Sequence, residues 1–80
     1  MNSIQIEKTV LAVLSIVLKQ PYDFGDDVSR QNTPNWDSLK HIEILFALED
    51  ELGVEFSEDE LASLDSVQRI VKVVEQKNAT

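Results

Sequence analysis

The sequence predicts an all-α fold: a four-helix bundle with three longer helices, one short third helix and a long loop between helices one and two. Apolar residues recur at the three-and-four spacing of a helix face, and no segment alternates between apolar and polar residues as a half-exposed strand does. Helix-capping residues precede the periodic segments. A chain of 80 residues corresponds to one small domain, so we predict a single domain over residues 1–80.

The first helix is predicted near residues 3–19. Asn2 and Gln5 have the separation of a capping box, and Pro21 supplies the stop. Its apolar face consists of Ile6, Val10, Val13, Leu14, Val17 and Leu18. Residues 20–36 contain both prolines and have no clean period, which predicts a long ordered loop. Four apolar residues are expected to anchor this loop: Tyr22, Phe24, Val28 and Trp36.

The second helix is predicted from Ser38 to Leu52, and Gly53 ends it. At about 100° per residue its apolar side chains are expected to share one broad arc that faces the core. That arc contains Leu39, Ile42, Leu45, Phe46 and Leu52. The opposite arc has an acidic excess and contains Lys40, Glu43, Ala47, Asp50 and Glu51. Glu49 falls within the apolar arc, so we expect it to be partly covered, with a basic group as a candidate partner.

Two further helices are predicted in the last third of the chain. Ser57 and Glu60 have the separation of a capping box and begin a brief third helix. Asp65 and Gln68 repeat that separation and are predicted to begin the fourth helix, which extends to about Lys77. The apolar face of the fourth helix consists of Val67, Ile70, Val71 and Val74.

Composition excludes several function classes. Fifteen acidic residues against seven basic ones give a net charge of −8, which repels nucleic acid and anionic lipid and favours partners with basic patches. The chain has no cysteine, so it has no disulfide, no thiolate metal site and no thiol nucleophile of its own. The apolar run from Val10 to Leu18 is too short to span a bilayer and lacks an export-cleavage pattern. We therefore expect a soluble, cytoplasmic protein.

Ser38 stands at the predicted start of helix two, directly after Asp37 and three residues before His41, and three interpretations apply to it. Asp37 and Ser38 are both favoured helix caps. A hydrolase would use Ser38 as nucleophile, His41 as base and Asp37 as orienting acid. That geometry is awkward and no oxyanion hole is evident, so no enzyme is expected, and His41 is expected on the helix surface. In the third interpretation Ser38 accepts a phosphate-linked group, which the amides and dipole at a helix N-terminus would stabilise.

The sequence that follows Ser38 resembles an acyl carrier protein. The resemblance is carried by Asp37-Ser38-Leu39, Ile42-Glu43, residues 48–54 and residues 66–71. In length, charge and helix order it covers essentially the whole chain. It implies that Ser38, flanked by Asp37 and Leu39, carries 4′-phosphopantetheine installed from coenzyme A by a phosphopantetheinyl transferase that uses magnesium. The thiol of this arm would hold acyl groups as thioesters, which fits a chain without cysteine.

The resemblance also implies that the exposed face of helix two docks onto partner enzymes. These are the phosphopantetheinyl transferase and acyl-loading, condensing and acyl-transfer enzymes with basic docking patches. The residues expected on this surface are Lys40, Glu43, Ile44, Phe46, Ala47, Asp50 and Glu51. A solvated helix face without a partner is the alternative interpretation of these carboxylates. The carrier is expected to be a monomer.

Two residues depart from the pattern of fatty-acid-synthesis carriers, which usually have a glycine before the aspartate and an acidic residue after the serine-leucine pair. Trp36 and Lys40 occupy these positions. We therefore expect a specialised, free-standing carrier of fatty acid, polyketide or related secondary biosynthesis.

The sequence has three alternative interpretations besides an acyl carrier. A peptidyl or aminoacyl carrier of a nonribosomal-type pathway shares the fold and the serine, and a non-carrier acidic helical adaptor shares the charge. A calcium-binding module would use Asp23, Asp26 and Asp27, but their spacing does not match the alternating ligands of a calcium loop. No metal site is therefore predicted.

Overall fold

The structure, a computed structural model that describes residues 2–78, is the predicted all-α bundle. Its helices are α1 (Ser3–Leu18), α2 (Ser38–Leu52), α3 (Glu58–Ser63) and α4 (Val67–Asn78). Helix α1 packs against both α2 and α4. Across the described residues, β pairing is confined to an isolated bridge between Ser29 and Ser66.

Both predicted ends of α1 are confirmed to within one residue. The Gln5 amide donates to the Asn2 side chain at 2.9 Å and the Asn2 amide donates to the Gln5 side chain at 3.3 Å, which completes the capping box. Lys19 closes the helix in the left-handed region, with φ at 55°, and its amide donates to the Ser15 carbonyl. The backbone thus leaves the helix two residues before Pro21.

Helix α1 supplies a large share of the core. Five of the six residues predicted for its apolar face are buried, while Val17 is half-buried. Leu11 is 3% exposed and was not predicted to face the core. Because α2 and α4 both pack on α1, its buried stripe is wider than the one that a single neighbour would cover.

The loop between α1 and α2 is held to the core by three of its four expected anchors: Tyr22, Val28 and Trp36. The prediction for Phe24 is wrong, because its side chain is 54% exposed. Phe24 lies at the tip of a turn, where the Asp26 amide donates to the Asp23 carbonyl at 3.0 Å. Thr33, which was not predicted to be an anchor, is 5% exposed.

The predicted bounds of α2 are confirmed, but its predicted buried arc is largely wrong. The buried residues of this helix are His41, Ile44, Leu45 and Leu48. Three members of the predicted arc are exposed: Leu39 by 69%, Ile42 by 39% and Phe46 by 56%. Apolar side chains occupy neighbouring arcs of α2, so periodicity alone did not identify the arc that α1 covers.

Glu49 is partly covered, as predicted, but its partner is not a basic group. Its carboxylate accepts a hydrogen bond from the Phe56 backbone amide at 2.8 Å. The Glu49 carbonyl meanwhile accepts from the Gly53 amide at 2.9 Å, and Gly53 adopts a φ of 66° that favours glycine. Glu49 therefore fastens the chain that leaves α2.

The start of α3 is confirmed and that of α4 is shifted by one residue. Ser57 and Glu60 form the predicted capping box; the Ser57 amide, together with the Lys77 ammonium, holds the pKa of Glu60 below its ordinary value. The cap of α4 is Ser66, whose hydroxyl accepts from the Arg69 amide at 3.2 Å, so the Asp65 prediction is wrong. The four predicted residues of the α4 face are buried.

Among residues 2–78 no helix is long and apolar enough to cross a membrane.

Candidate functional site

Ser38 is the first residue of α2, and its side chain is exposed. The residue that caps the helix is Asp37, whose carboxylate accepts from the Lys40 amide at 2.9 Å. The prediction of capping is therefore confirmed for Asp37, whereas the Ser38 hydroxyl takes no part in it. Capping by Asp37 leaves that hydroxyl available for other chemistry.

The N-terminus of α2 offers unpaired donors beside this hydroxyl. The first bond of the helical ladder runs from the His41 amide to the Asp37 carbonyl at 2.8 Å, so the amides of Ser38 and Leu39 have no partner within the helix. These amides and the positive end of the helix dipole favour an anion. The site is therefore suited to hold a negatively charged group bonded to Ser38.

Arg30, which sequence reasoning did not identify, reaches this site from the loop. Its Nη2 donates to Ser38 Oγ at 3.5 Å and its Nε donates to the Trp36 carbonyl at 3.4 Å. Seven residues of irregular chain separate Arg30 from Ser38, so no periodicity or motif signals their contact.

The backbone around Arg30 is fixed against the start of α4. The Arg30 amide donates to the Asp65 carbonyl at 2.9 Å, and the Val67 amide donates to the Val28 carbonyl at 3.0 Å. Both bonds flank the bridge between Ser29 and Ser66. The loop therefore presents the Arg30 side chain from an anchored segment.

His41 is buried, so its expected place on the helix surface is wrong. It is 5% exposed, and the Trp36 indole N–H donates to its Nδ1 at 3.1 Å. An indole can only donate, so Nδ1 is the acceptor and Nε2 carries the proton that is donated to the Leu61 carbonyl at 2.6 Å. His41 joins the end of the loop to α3 and is a structural residue.

The hydrogen bonds around Ser38 do not form a catalytic triad. Asp37 is engaged by the Lys40 amide, and the two nitrogens of His41 are engaged by Trp36 and Leu61. Within residues 2–78 no cluster of three or more acidic or histidine side chains is arranged to hold a metal ion.

The outer face of α2 combines apolar and acidic side chains. Leu39, Ile42 and Phe46 stand at helical spacing along it, and the stripe begins one residue after Ser38. The other exposed residues of this face are Glu43, Asp50 and Glu51. We call these six residues the outer surface of α2.

Three residues expected to dock partners are placed differently. Ile44 is fully buried, so its assignment to the docking surface is wrong. Ala47 is half-buried and packs against the core. Lys40 is also half-covered, and its ammonium lies 3.7 Å from the Glu43 carboxylate. The salt bridge between Lys40 and Glu43 therefore lies at the start of α2, two residues after Ser38.

Surface grooves lie away from Ser38. One, of about 620 Å³, is lined by loop residues that include Tyr22, Thr33 and Asn35. Another, of about 440 Å³, lies at the far end of α2 and includes Phe46 and Val54. Neither groove is lined by Ser38, so the serine is reached from open solvent.

Comparisons with known proteins match both the region around Ser38 and the chain as a whole. The family described as "Phosphopantetheine attachment site" matches residues 36–74, which include Ser38. The acyl carrier protein of Thermosynechococcus vestitus is 32% identical over 80 residues, which cover 99% of this chain and 99% of that protein. The acyl carrier protein of Buchnera aphidicola subsp. Schizaphis graminum is 29% identical, with 98% of each chain covered. Acyl carrier protein 3 of Ralstonia nicotianae is 49% identical over 39 residues, 49% of this chain and 45% of that protein.

Proposed function

The chain belongs to the acyl carrier protein family, whose members are carriers and not enzymes, and we propose that Ser38 is the residue to which its 4′-phosphopantetheine is attached. The observation that carries the proposal is the exposed Ser38 hydroxyl at the first turn of α2. It lies within the region that matches the phosphopantetheine attachment family.

The residues around Ser38 fit a phosphodiester. The amides of Ser38 and Leu39 are free to donate, because the helical ladder begins at His41. The Asp37 carboxylate accepts from the Lys40 amide. That bond fixes the first turn of α2, which positions the Ser38 hydroxyl and the free amides together.

Attachment forms a bond between Ser38 Oγ and phosphorus and breaks the diphosphate bond of coenzyme A. Adenosine 3′,5′-bisphosphate leaves, and the hydroxyl proton passes to a base of the transferase. When bound, the group supplies a thiol that holds an acyl chain as a thioester. The protein has no cysteine, so this thiol is the sulfhydryl that it would use.

Partner enzymes would dock on the outer surface of α2. The acidic members, Glu43, Asp50 and Glu51, suit basic patches, while Leu39, Ile42 and Phe46 suit shallow apolar sockets. Exposed charge pairs contribute about 0–1 kcal/mol each, so they speed encounter and orient the partner more than they hold it. The transferase and the acyl-loading, condensing and acyl-transfer enzymes would therefore bind weakly and in turn.

A more specific proposal concerns the class of group that the protein carries and the type of pathway that it serves. Lys40 places a positive charge one turn from Asp37, at a position where carriers of fatty acid synthesis usually have an acid, and it pairs with Glu43. This feature supports a specialised carrier of fatty acid, polyketide or related secondary biosynthesis. A peptidyl or aminoacyl carrier is the second candidate, since it would use the same serine.

Intact mass spectrometry tests attachment at Ser38. The purified chain would be incubated with coenzyme A, magnesium and a broad-specificity phosphopantetheinyl transferase. We expect one added phosphopantetheine on the wild type and none on Ser38→Ala. Ser3→Ala is the matched control, because Ser3 is likewise the exposed first residue of a helix, following the cap Asn2.

Addition to Ser38→Ala would move the attachment residue elsewhere. No addition to the wild type, under conditions that fully modify a known carrier, would refute the carrier proposal for this chain. A non-carrier adaptor would then account better for its acidic surface.

A further inference from the structure

We propose that Arg30 is a positioning residue that pairs with the phosphodiester on Ser38 and holds the root of the prosthetic arm against the first loop. The inference rests on the proposed attachment at Ser38 and concerns what the chain does with the group once it is there. Arg30 would contact phosphate oxygens and leave the rest of the arm free.

The position of the Arg30 guanidinium supports this pairing. Its Nη2 lies 3.5 Å from Ser38 Oγ, the atom to which phosphorus would be bonded. The non-bridging phosphate oxygens lie two bonds from that atom, so they enter the neighbourhood of the guanidinium without a backbone change. The Trp36 carbonyl engages Nε at 3.4 Å, which leaves the four N–H groups of the two terminal nitrogens for other acceptors.

The charge of Arg30 differs in its pairing from the charges of Lys40 and Arg69, each of which forms an ion pair with a carboxylate. Lys40 is paired with Glu43 at 3.7 Å and Arg69 with Asp65 at 3.4 Å. Within residues 2–78 no carboxylate forms an ion pair with Arg30. A phosphodiester would add negative charge beside Asp37 in a chain of net charge −8, and a nearby guanidinium offsets that repulsion.

The backbone segment that carries Arg30 is fixed by hydrogen bonds, so its guanidinium would approach the phosphodiester from the side of the first loop. The Arg30 amide is bonded to the Asp65 carbonyl at 2.9 Å, and the neighbouring Ser29 pairs with Ser66. A cation on a fixed segment loses less conformational entropy on pairing than one on a mobile loop. The arm would therefore leave Ser38 with its first atoms held toward the loop, and the outer surface of α2 would stay uncovered for partners.

A thermodynamic cycle over attachment and Arg30 tests the proposal without any partner activity. The melting temperature would be measured for the unmodified and phosphopantetheine-bearing forms of the wild type and of Arg30→Gln. We expect the change in melting temperature on attachment to be about 2–5 °C less favourable in Arg30→Gln. Arg30→Lys should lie between them, because an ammonium keeps the charge and loses the planar fork.

Arg69→Gln is the matched control, since it removes the same side chain from a position that pairs with Asp65. Its change on attachment should equal that of the wild type. The wild-type change should also shrink as sodium chloride is raised, because salt screens a partly exposed ion pair. The salt dependence of the wild-type change tests the proposal even if Arg30→Gln does not fold.

Two results would overturn the inference, and they are distinguishable from failure of the proposed function. One is an equal change on attachment in the wild type and Arg30→Gln; the other is a wild-type change that is insensitive to salt. Either can be obtained only from a chain that accepts the group. A wild type that accepts no phosphopantetheine would instead refute the attachment proposal from which this inference starts.

Discussion

The two faces of α2 are both apolar, but one is buried and the other is not. The inner face places Ile44, Leu45 and Leu48 in the core at 0% exposure. The outer face carries Leu39, Ile42 and Phe46, each at least 39% exposed. Side chains of similar size and chemistry therefore have opposite environments on one helix. The contrast shows that the apolar residues of a helix define which faces are able to be buried. The segments that pack against the helix determine which of those faces is buried.

Exposure of three large apolar side chains on one stripe has a functional interpretation. They begin directly after Ser38 and run along the helix among exposed acids. Apolar side chains rimmed by charge are typical of surfaces that meet partners. The inner face is therefore expected to determine stability and the outer face to determine recognition, and five predictions test this division.

The largest effect is expected from neighbouring residues on opposite faces. Leu45→Ala should lower the free energy of unfolding by about 2–5 kcal/mol, because it leaves a cavity in the core. Phe46→Ala should change it by no more than about 0.5 kcal/mol, because Phe46 is 56% exposed. Urea unfolding followed by circular dichroism measures both. Equal losses would mean that Phe46 is covered in solution and that the two faces do not differ.

The polar member of the inner face gives the next test. His41→Ala should cost about 1–3 kcal/mol, because the Trp36 indole and the Leu61 carbonyl lose their partner. Trp36→Phe should cost less and, combined with His41→Ala, should be less than additive in the same unfolding assay. A His41→Ala chain as stable as the wild type would restore the surface position that the sequence suggested.

Recognition by the outer face is tested kinetically. Phe46→Ala should raise the apparent KM of the chain as substrate of a broad-specificity phosphopantetheinyl transferase by about tenfold, equivalent to about 1.4 kcal/mol of docking. Ile16→Ala is the control, because Ile16 is 75% exposed on α1 and lies outside the proposed surface. A similar rise in both variants would argue against a docking role for α2.

The start of α2 separates capping from attachment. Asp37→Ala should lower the free energy of unfolding by about 1 kcal/mol, because the Lys40 amide loses its acceptor. Ser38→Ala should stay within about 0.5 kcal/mol of the wild type while losing the modification. Thermal unfolding of the unmodified chains measures the loss of stability in each variant relative to the wild type. If Ser38→Ala were the more damaging change, the serine and not the aspartate would be the structural residue.

The smallest effect concerns Lys40 beside the outer surface. Lys40→Asp removes the pair with Glu43 and should raise kcat/KM with enzymes of primary fatty acid synthesis by about 1.5- to 5-fold, the range of an exposed charge pair. Lys72→Asp, an exposed change of the same kind on α4, is the control. An unchanged rate for Lys40→Asp would remove the charge argument for a specialised carrier.

The helix ends were largely predictable because short-range hydrogen bonds decide them. The capping boxes at Asn2 and Ser57 and the cap at Asp37 each involve residues three positions apart, a separation that is visible in the sequence. The exception is instructive. Asp65 and Ser66 are both good caps, and the structure uses Ser66, while the Asp65 carbonyl accepts from the Arg30 amide across the fold.

The surroundings of Ser38 were predictable only in part. The sequence identified the serine, its place at a helix start and the neighbouring acid. It did not identify Arg30, whose contact with Ser38 depends on hydrogen bonds between the loop and the start of α4. It also placed His41 on the surface, because its partners, the buried Trp36 and the partly buried Leu61, belong to other segments.

The sequence by itself determined the fold class, the four helices and the serine that defines the site, because helical periodicity, caps and a short motif act over a few residues. The tertiary structure alone decided which arc of α2 is covered, which polar group is buried with it and which cation stands beside Ser38. Each of these depends on segments that are distant in sequence and meet only when α1, the loop and α4 pack together.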